Sequence, residues 1–432
     1  MILAHGVGQV YKLPIPLPLY LGAAAATVLV SFVLRMVVPQ GARRTEERTV
    51  VGARPARILI VVLQVLAVVL LVLAILSGAI VRERGLTLGP LGFWVGLIVG
   101  VTALSSLLGD VWEHIDPWRT IEDTYRIKDV EVAERSFPWW VGPFLVYMLF
   151  WFELVSNVGF ESFWIVVVLA LYSLYVFTFR AGLGEGWRQA DPLSILFGFA
   201  ARCAPLRIDR DGIHFRGLLR GLDERTPMPL ALYSSVFILL ASTTLDNVKE
   251  TTGWTSFLTS TGLESVSDTI VNSLALLLFA LPFFAAFMLA TWVAHRWIGR
   301  RLSVSELGRH LGWSLIPIGV AYVLAHNASL LIADTPQLLR ALSDPFLKGW
   351  NLFGTADWFA TYQPSPKLVW FLEIALIVGG HILGVLAAHR TAVRFSDDHR
   401  AAVRSELPLT LMMAAFTIST LWLLAQPLVV SG

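Results

Sequence analysis

The chain is a succession of long apolar runs separated by shorter polar stretches. A helix needs about 20 mainly apolar residues to cross roughly 30 Å of hydrocarbon. Runs of that order occupy 17–38, 58–80, 91–109, 137–156, 163–180, 229–247, 267–295, 310–333, 367–389 and 407–427. They predict an all-α integral membrane protein of ten transmembrane helices, one polytopic domain over 1–432. Pro90, Pro138, Pro229, Pro366 and Pro408 stand at or beside the starts of runs, where a missing N–H costs a helix nothing. Pro282 and Pro317 fall inside runs. A proline there removes one backbone hydrogen bond and frees the carbonyl four residues earlier, so the eighth run is expected to bend before His326.

Two connecting segments carry patterns of their own. The segment 181–228 opens with Gly182, Gly184 and Gly186 and continues with the apolar stretch 192–204, too short to span. That stretch is expected to form an interfacial or re-entrant helix. Residues 206–215 then alternate around Asp211-Gly212, which predicts a small β-hairpin. The segment 334–366 is long enough for a short helical cap on the opposite side.

Basic residues divide unequally between the two sets of loops. The segments 39–57, 110–136, 181–228, 296–309 and 390–406 hold 24 Lys and Arg, against 6 in the alternate set. Basic residues are retained in the cytoplasm, so both termini are expected outside, with 181–228 a cytoplasmic insert and 334–366 an extracytoplasmic loop. The first residues lack the basic and apolar regions of a signal peptide, which leaves targeting to the first run.

Composition narrows the classes further. Hydrophobic residues make up 56% and charged residues 15%, outside the range of soluble domains. The net charge of +2 comes without a basic stripe, so no nucleic-acid partner is expected. Cys203 is the single cysteine, which excludes an intrachain disulfide and a cysteine metal cage. Nucleotide-binding loops, His-Glu-x-x-His and Gly-x-Ser-x-Gly are missing from the sequence.

Ionisable residues inside membrane spans are costly and therefore mark candidate function. Glu153 and Asn157 fall at the outer end of the fourth run, Asp246 and Asn247 end the sixth, and Asp268 begins the seventh. His326 and Asn327 lie toward the outer end of the eighth, with Asp334 beyond, while Glu373 and the deeper His381 lie in the ninth. All but His381 map to the outer half, so an outward-facing polar cavity is expected. His326 and His381 differ in depth by about 11 Å on a helical rise of about 1.5 Å per residue, which disfavours a shared haem. Asp110–Arg119 on the inner side, rich in acids, is expected to cap itself and to pair with Arg119. His295, His310 and His389 are read as residues of inner helix ends, without a ligand role.

Several stretches resemble the polytopic membrane proteins of actinobacteria and archaea known as fenitrothion hydrolase-like. They are Ala4-His5-Gly6, Leu13-Pro14-Ile15-Pro16, Leu107–Trp112 leading to Asp116–Arg119, Ala321–Leu331, Phe353–Asp357, Gly380-His381 and Ala402–Ser405. The resemblance spans nearly the whole chain and implies the cytoplasmic membrane of a prokaryote. It implies a metal-dependent hydrolase of apolar esters or organophosphates, and a copper ligand at His5. For such chemistry the polar residues singled out here are the candidates, Glu373 and Asp357 as catalytic groups and His326 and Asp246 as ligands to a divalent metal. In such relatives the Ala-His-Gly stretch follows a cleavable leader; here four residues precede His5, so no ordinary leader is expected. A transporter or permease, and a non-catalytic subunit bound to other membrane subunits of a copper- or electron-transfer complex, are the alternative expectations.

Overall fold

The computed structural model describes residues 17–37, 47–81, 86–125, 137–183, 186–218, 220–298, 302–356, 364–396 and 399–426. His5 and Asp357 lie outside the described residues. The long helices are α1 (Leu17–Val37), α2 (Ala53–Ile80), α3 (Leu88–Leu108), α4 (Val141–Leu154), α5 (Ser162–Leu183) and α6 (Pro192–Cys203). They continue with α7 (Leu230–Lys249), α8 (Asp268–Ile298), α9 (Val304–His326), α10 (Ala328–Ser343), α11 (Pro366–Phe395) and α12 (His399–Leu424).

Among the described residues, 7 helices are long and apolar enough to cross a membrane, or 8 if the bent pair α9–α10 is one span. This is a multi-pass helical membrane protein. Each of the ten apolar runs contains helix, but α4 has only 14 residues. At about 1.5 Å per residue α4 rises roughly 21 Å, short of the hydrocarbon thickness. The α2 helix displays the membrane character most openly. Ile58, Val61, Val65, Val69, Val72 and Leu76 are all exposed at helical spacing, an apolar stripe suited to lipid tails.

The bend in the eighth run falls elsewhere than expected. Pro317 stands at the start of a regular stretch, Ile316–His326, preceded by a 3-10 turn over Gly312–Leu315. The sharp change of direction, 55°, comes at Asn327 between α9 and α10. Asp334 consequently sits inside α10 and not in a loop, and α10 runs through Pro336. Within α8 the helix is interrupted at Phe279, just before Pro282. One further irregularity was not legible: Leu91–Gly100 in α3 is a π-helix.

The short helix α6 is buried in protein instead of lying on a membrane surface. Nine of its residues are buried, Phe197 and Phe199 among them, and it packs on α3, α4 and α9. Asp191 caps it, accepting from the backbone N–H groups of Leu193 and Ser194. Beyond α6 the expected hairpin forms, β2 (Leu206–Asp209) against β3 (Gly212–Phe215). A third strand, β1 (Arg48–Gly52), pairs antiparallel with β3 and gives the order β1-β3-β2. Gly212 has φ +148°, and a Cβ there would fall 2.3 Å from the Val51 carbonyl. Glycine is what lets β1 approach.

The α9–α11 contact positions the polar residues. A Cβ on Gly380 would lie 2.4 Å from the Ala321 Cβ and 2.7 Å from the Pro317 carbonyl, and one on Gly384 2.8 Å from the Ser314 carbonyl. These two glycines bring the helix backbones together, as small residues do in membranes. Glu373 precedes Gly380 by two turns and lies on the same side of α11.

Candidate functional site

The last turn of α7 meets the last turn of α9. Asp246 Oδ2 lies 2.5 Å from His326 Nε2, and Asp246 Oδ1 lies 2.7 Å from Lys249 Nζ. The Asp246 and His326 side chains are 4% and 9% exposed, so the pair is removed from bulk solvent. Asn247 Nδ2 donates to the Thr243 carbonyl at 2.8 Å and to the Tyr322 hydroxyl at 3.2 Å, and lies 3.4 Å from His326 Nδ1. Tyr322 and His326 are one turn apart, so α9 presents both toward α7. Lys249 also donates to the Leu154 carbonyl at 3.3 Å, tying α7 to the end of α4.

That tie brings Glu153 into the cluster. Glu153 and Glu250 both lie within the electrostatic field of Asp246, His326 and Lys249, and Glu373 of α11 lies within that of His326. Glu250 caps the C-terminus of α7 outside the span. Burial pushes its carboxyl up to about 7, and the Asp246 charge adds to the effect. Four carboxylates therefore share one partly sealed region with one lysine and one histidine.

Of the residues flagged by sequence, Asp246, Asn247, His326, Glu153 and Glu373 come together here. Asn157 is exposed in the turn after α4. Asn327 is buried at the α9–α10 break and donates from Nδ2 to the Val323 carbonyl at 3.0 Å. Asp268 starts α8 on an exposed turn. Lys249, Glu250 and Tyr322 were missed, although Lys249 follows Asp246 at a helical i, i+3 spacing.

His381 is separate and deeper. Its Nδ1–H donates to the Ile377 carbonyl at 2.8 Å, while Nε2, in a side chain 2% exposed, has no hydrogen-bond partner among the described residues. It borders a cavity of about 20 Å³ together with Thr244, Tyr322 and Thr420, space for about one water. Tyr322 thus touches both the charged cluster and this cavity.

On the sheet-bearing side, His389 lies within α11, not at its end, and its Nδ1 is 2.8 Å from both carboxylate oxygens of Glu406. The acidic stretch 110–119 forms two short helices, Val111–Ile115 and Pro117–Tyr125. Asp110 caps the first, and Arg119 meets Glu113 at 3.7 Å. Asp116 accepts from the backbone N–H groups of Trp118 and Arg119 and pairs with Arg180 at 2.7 Å.

Among the described residues no group of three or more His, Cys, Asp and Glu is arranged to hold a metal ion. At Asp246 one oxygen faces the Lys249 ammonium and the other the His326 imidazole. Comparison with protein-family models, curated proteins and solved structures finds no match to this chain.

Proposed function

We propose that the chain is a proton-coupled membrane permease whose exchange site is the Asp246–His326 pair and its surrounding carboxylates. One observation carries this reading: Glu153, Asp246, Glu250 and Glu373 outnumber Lys249 and His326 in a poorly hydrated region. Uncompensated carboxylates are expensive in such a place. The surplus is relieved by protons taken up from one side and released to the other. The α9–α10 break and the small cavity at Tyr322 and His381 supply irregular backbone and polar side chains at membrane depth, features that suit a pathway.

In this reading the chain crosses the membrane ten times, α1 and α4 included, with both termini outside and the sheet on the cytoplasmic face. The resemblance to fenitrothion hydrolase-like proteins would read the same cluster as a hydrolytic metal centre. The engagement of both Asp246 oxygens by Lys249 and His326 favours transport. The test is proton movement into proteoliposomes under an imposed potential, with Asp246→Asn and His326→Gln beside the wild type. Loss of movement in both variants is expected. A wild type that moves no protons, or variants that move them equally, would remove the assignment.

A further inference from the structure

The face that carries the sheet holds a cavity of about 800 Å³, far from the cluster just described. Pro229 and Leu232, at the beginning of α7, line it. Asp246 lies 14 residues after Leu232 on the same helix, about 21 Å at the helical rise. The walls come from α6, the β2–β3 hairpin and the chain that follows it.

Five guanidinium groups border this space: Arg188, Arg202, Arg207, Arg216 and Arg220. Four carboxylates border it as well, and each is already engaged. Asp110 pairs with Arg188 and accepts from the Glu113 N–H. Glu113 lies 3.2 Å from Arg188 and 3.7 Å from Arg119. Asp209 lies 3.0 Å from Arg207 and 3.3 Å from His214, and Glu224 pairs with Arg202. Glu47, from the chain before β1, meets Arg207 at 3.4 Å.

Arg216 and Arg220 remain. Among the described residues no carboxylate lies within ion-pair distance of either. Arg216 is nonetheless fixed in place: Nε donates to the Ala204 carbonyl at 3.1 Å, and Nη2 donates to the Ala201 carbonyl at the end of α6. Those bonds orient its charge without neutralising it. Arg202 is held beside it with its guanidinium 4.3 Å from the centre of the Trp313 ring. Burial and the positive fields of Arg202 and Arg207 pull the Arg216 pKa down, the response of a cation crowded by like charge.

We infer that this cavity binds a phosphate-bearing ligand, with Arg216 and Arg220 as the recognising cations and Arg202 and Arg207 flanking them. Planar guanidinium forks match pairs of phosphate oxygens better than a point charge does. The volume lies within the range of small-molecule sites and exceeds what inorganic phosphate alone would fill. The ligand is therefore a phosphate ester. Both an anionic phospholipid headgroup and a soluble ester present that chemistry, and the apolar margin at Ile195, Leu232 and Trp313 admits the carbon portion of either.

The experiment uses the full-length protein and two kinds of probe. Glycerol 3-phosphate is titrated against protein in neutral detergent, with thermal unfolding as the readout. In parallel, unfolding is compared in nanodiscs of phosphatidylglycerol and of phosphatidylcholine. Saturable stabilisation by glycerol 3-phosphate assigns a soluble ester; stabilisation confined to phosphatidylglycerol assigns a headgroup. In either case Arg216→Gln and Arg220→Gln should each weaken binding about tenfold, the effect of losing one charge-assisted hydrogen bond. Glu264→Gln, beyond the other end of α7, should leave it unchanged. Arg220 is exposed, so its variant reports even where Arg216→Gln fails to fold. Absence of stabilisation by every probe, or unchanged binding in Arg220→Gln, would overturn the proposal.

Discussion

Asp246 Oδ2 and His326 Nε2 stand 2.5 Å apart, joining the ends of two helices whose pairing residues are 80 positions apart in the chain. Removing Asp246 takes the carboxylate from both His326 and Lys249, whereas removing His326 leaves Asp246 with Lys249. Breaking a buried pair costs about 3–5 kcal/mol, so Asp246→Ala should lower the unfolding temperature strongly and His326→Ala by less. The double variant should lose less than the sum of the two. Additive losses in a double-mutant cycle would show that the contact contributes nothing.

Gly380 sets the distance between α9 and α11. Gly380→Val would place a branched side chain against Ala321 and Pro317, and overpacking of this kind costs about 1–3 kcal/mol. A Cβ on Gly379 would meet nothing within 4 Å, so Gly379→Ala serves as the control. Thermal unfolding of the two proteins in the same detergent should differ clearly, with Gly380→Val the less stable.

Glu250 makes stability depend on pH. Its carboxyl is raised from 4.5 to about 7 by burial and by the Asp246 charge, so the folded protein holds a proton that the unfolded chain releases. Stability therefore falls as pH rises from about 4.5 to about 7, and the penalty is complete above that window. Glu250→Gln should be more stable than wild type near pH 8, with the difference closing toward pH 4.5. A gap that widened in acid would reverse the sign of the argument.

Orientation is open to direct labelling. Cys203 is buried, so single cysteines placed at Asp211, in the hairpin turn, and at Glu264, beyond α7, report on the two faces. In intact cells an impermeant thiol reagent should reach Glu264→Cys and not Asp211→Cys. Labelling at Asp211→Cys alone would invert the topology.

The apolar runs located the helices long enough to span, because hydrophobic length is a local property of the sequence, but not α10, most of which lies in the segment 334–366 read as a loop. The hairpin was legible for a similar reason: Asp211-Gly212 between alternating arms is a local signal. Strand β1 was not. Arg48–Gly52 is short and mostly exposed, and only its long-range pairing with β3 defines it. Asp246 and His326 were each legible as costly intramembrane groups, but their meeting depends on how α7 packs on α9. Pro408 misled the placement of α12. The helix begins at His399, so Glu406 is within a helix, where its pairing with His389 required the tertiary structure.

The central claim is that the surplus of carboxylates around Asp246 and His326 holds exchangeable protons. Infrared difference spectroscopy of the purified protein, titrated from about pH 5 to about pH 8, observes this directly, since a protonated carboxyl has its own carbonyl stretch. The account predicts such a band near neutral pH, centred for Glu250 at about 7, diminished in Glu250→Gln and altered in Asp246→Asn. Carboxylates that remain fully ionised across that range, with no band to lose in either variant, would contradict it.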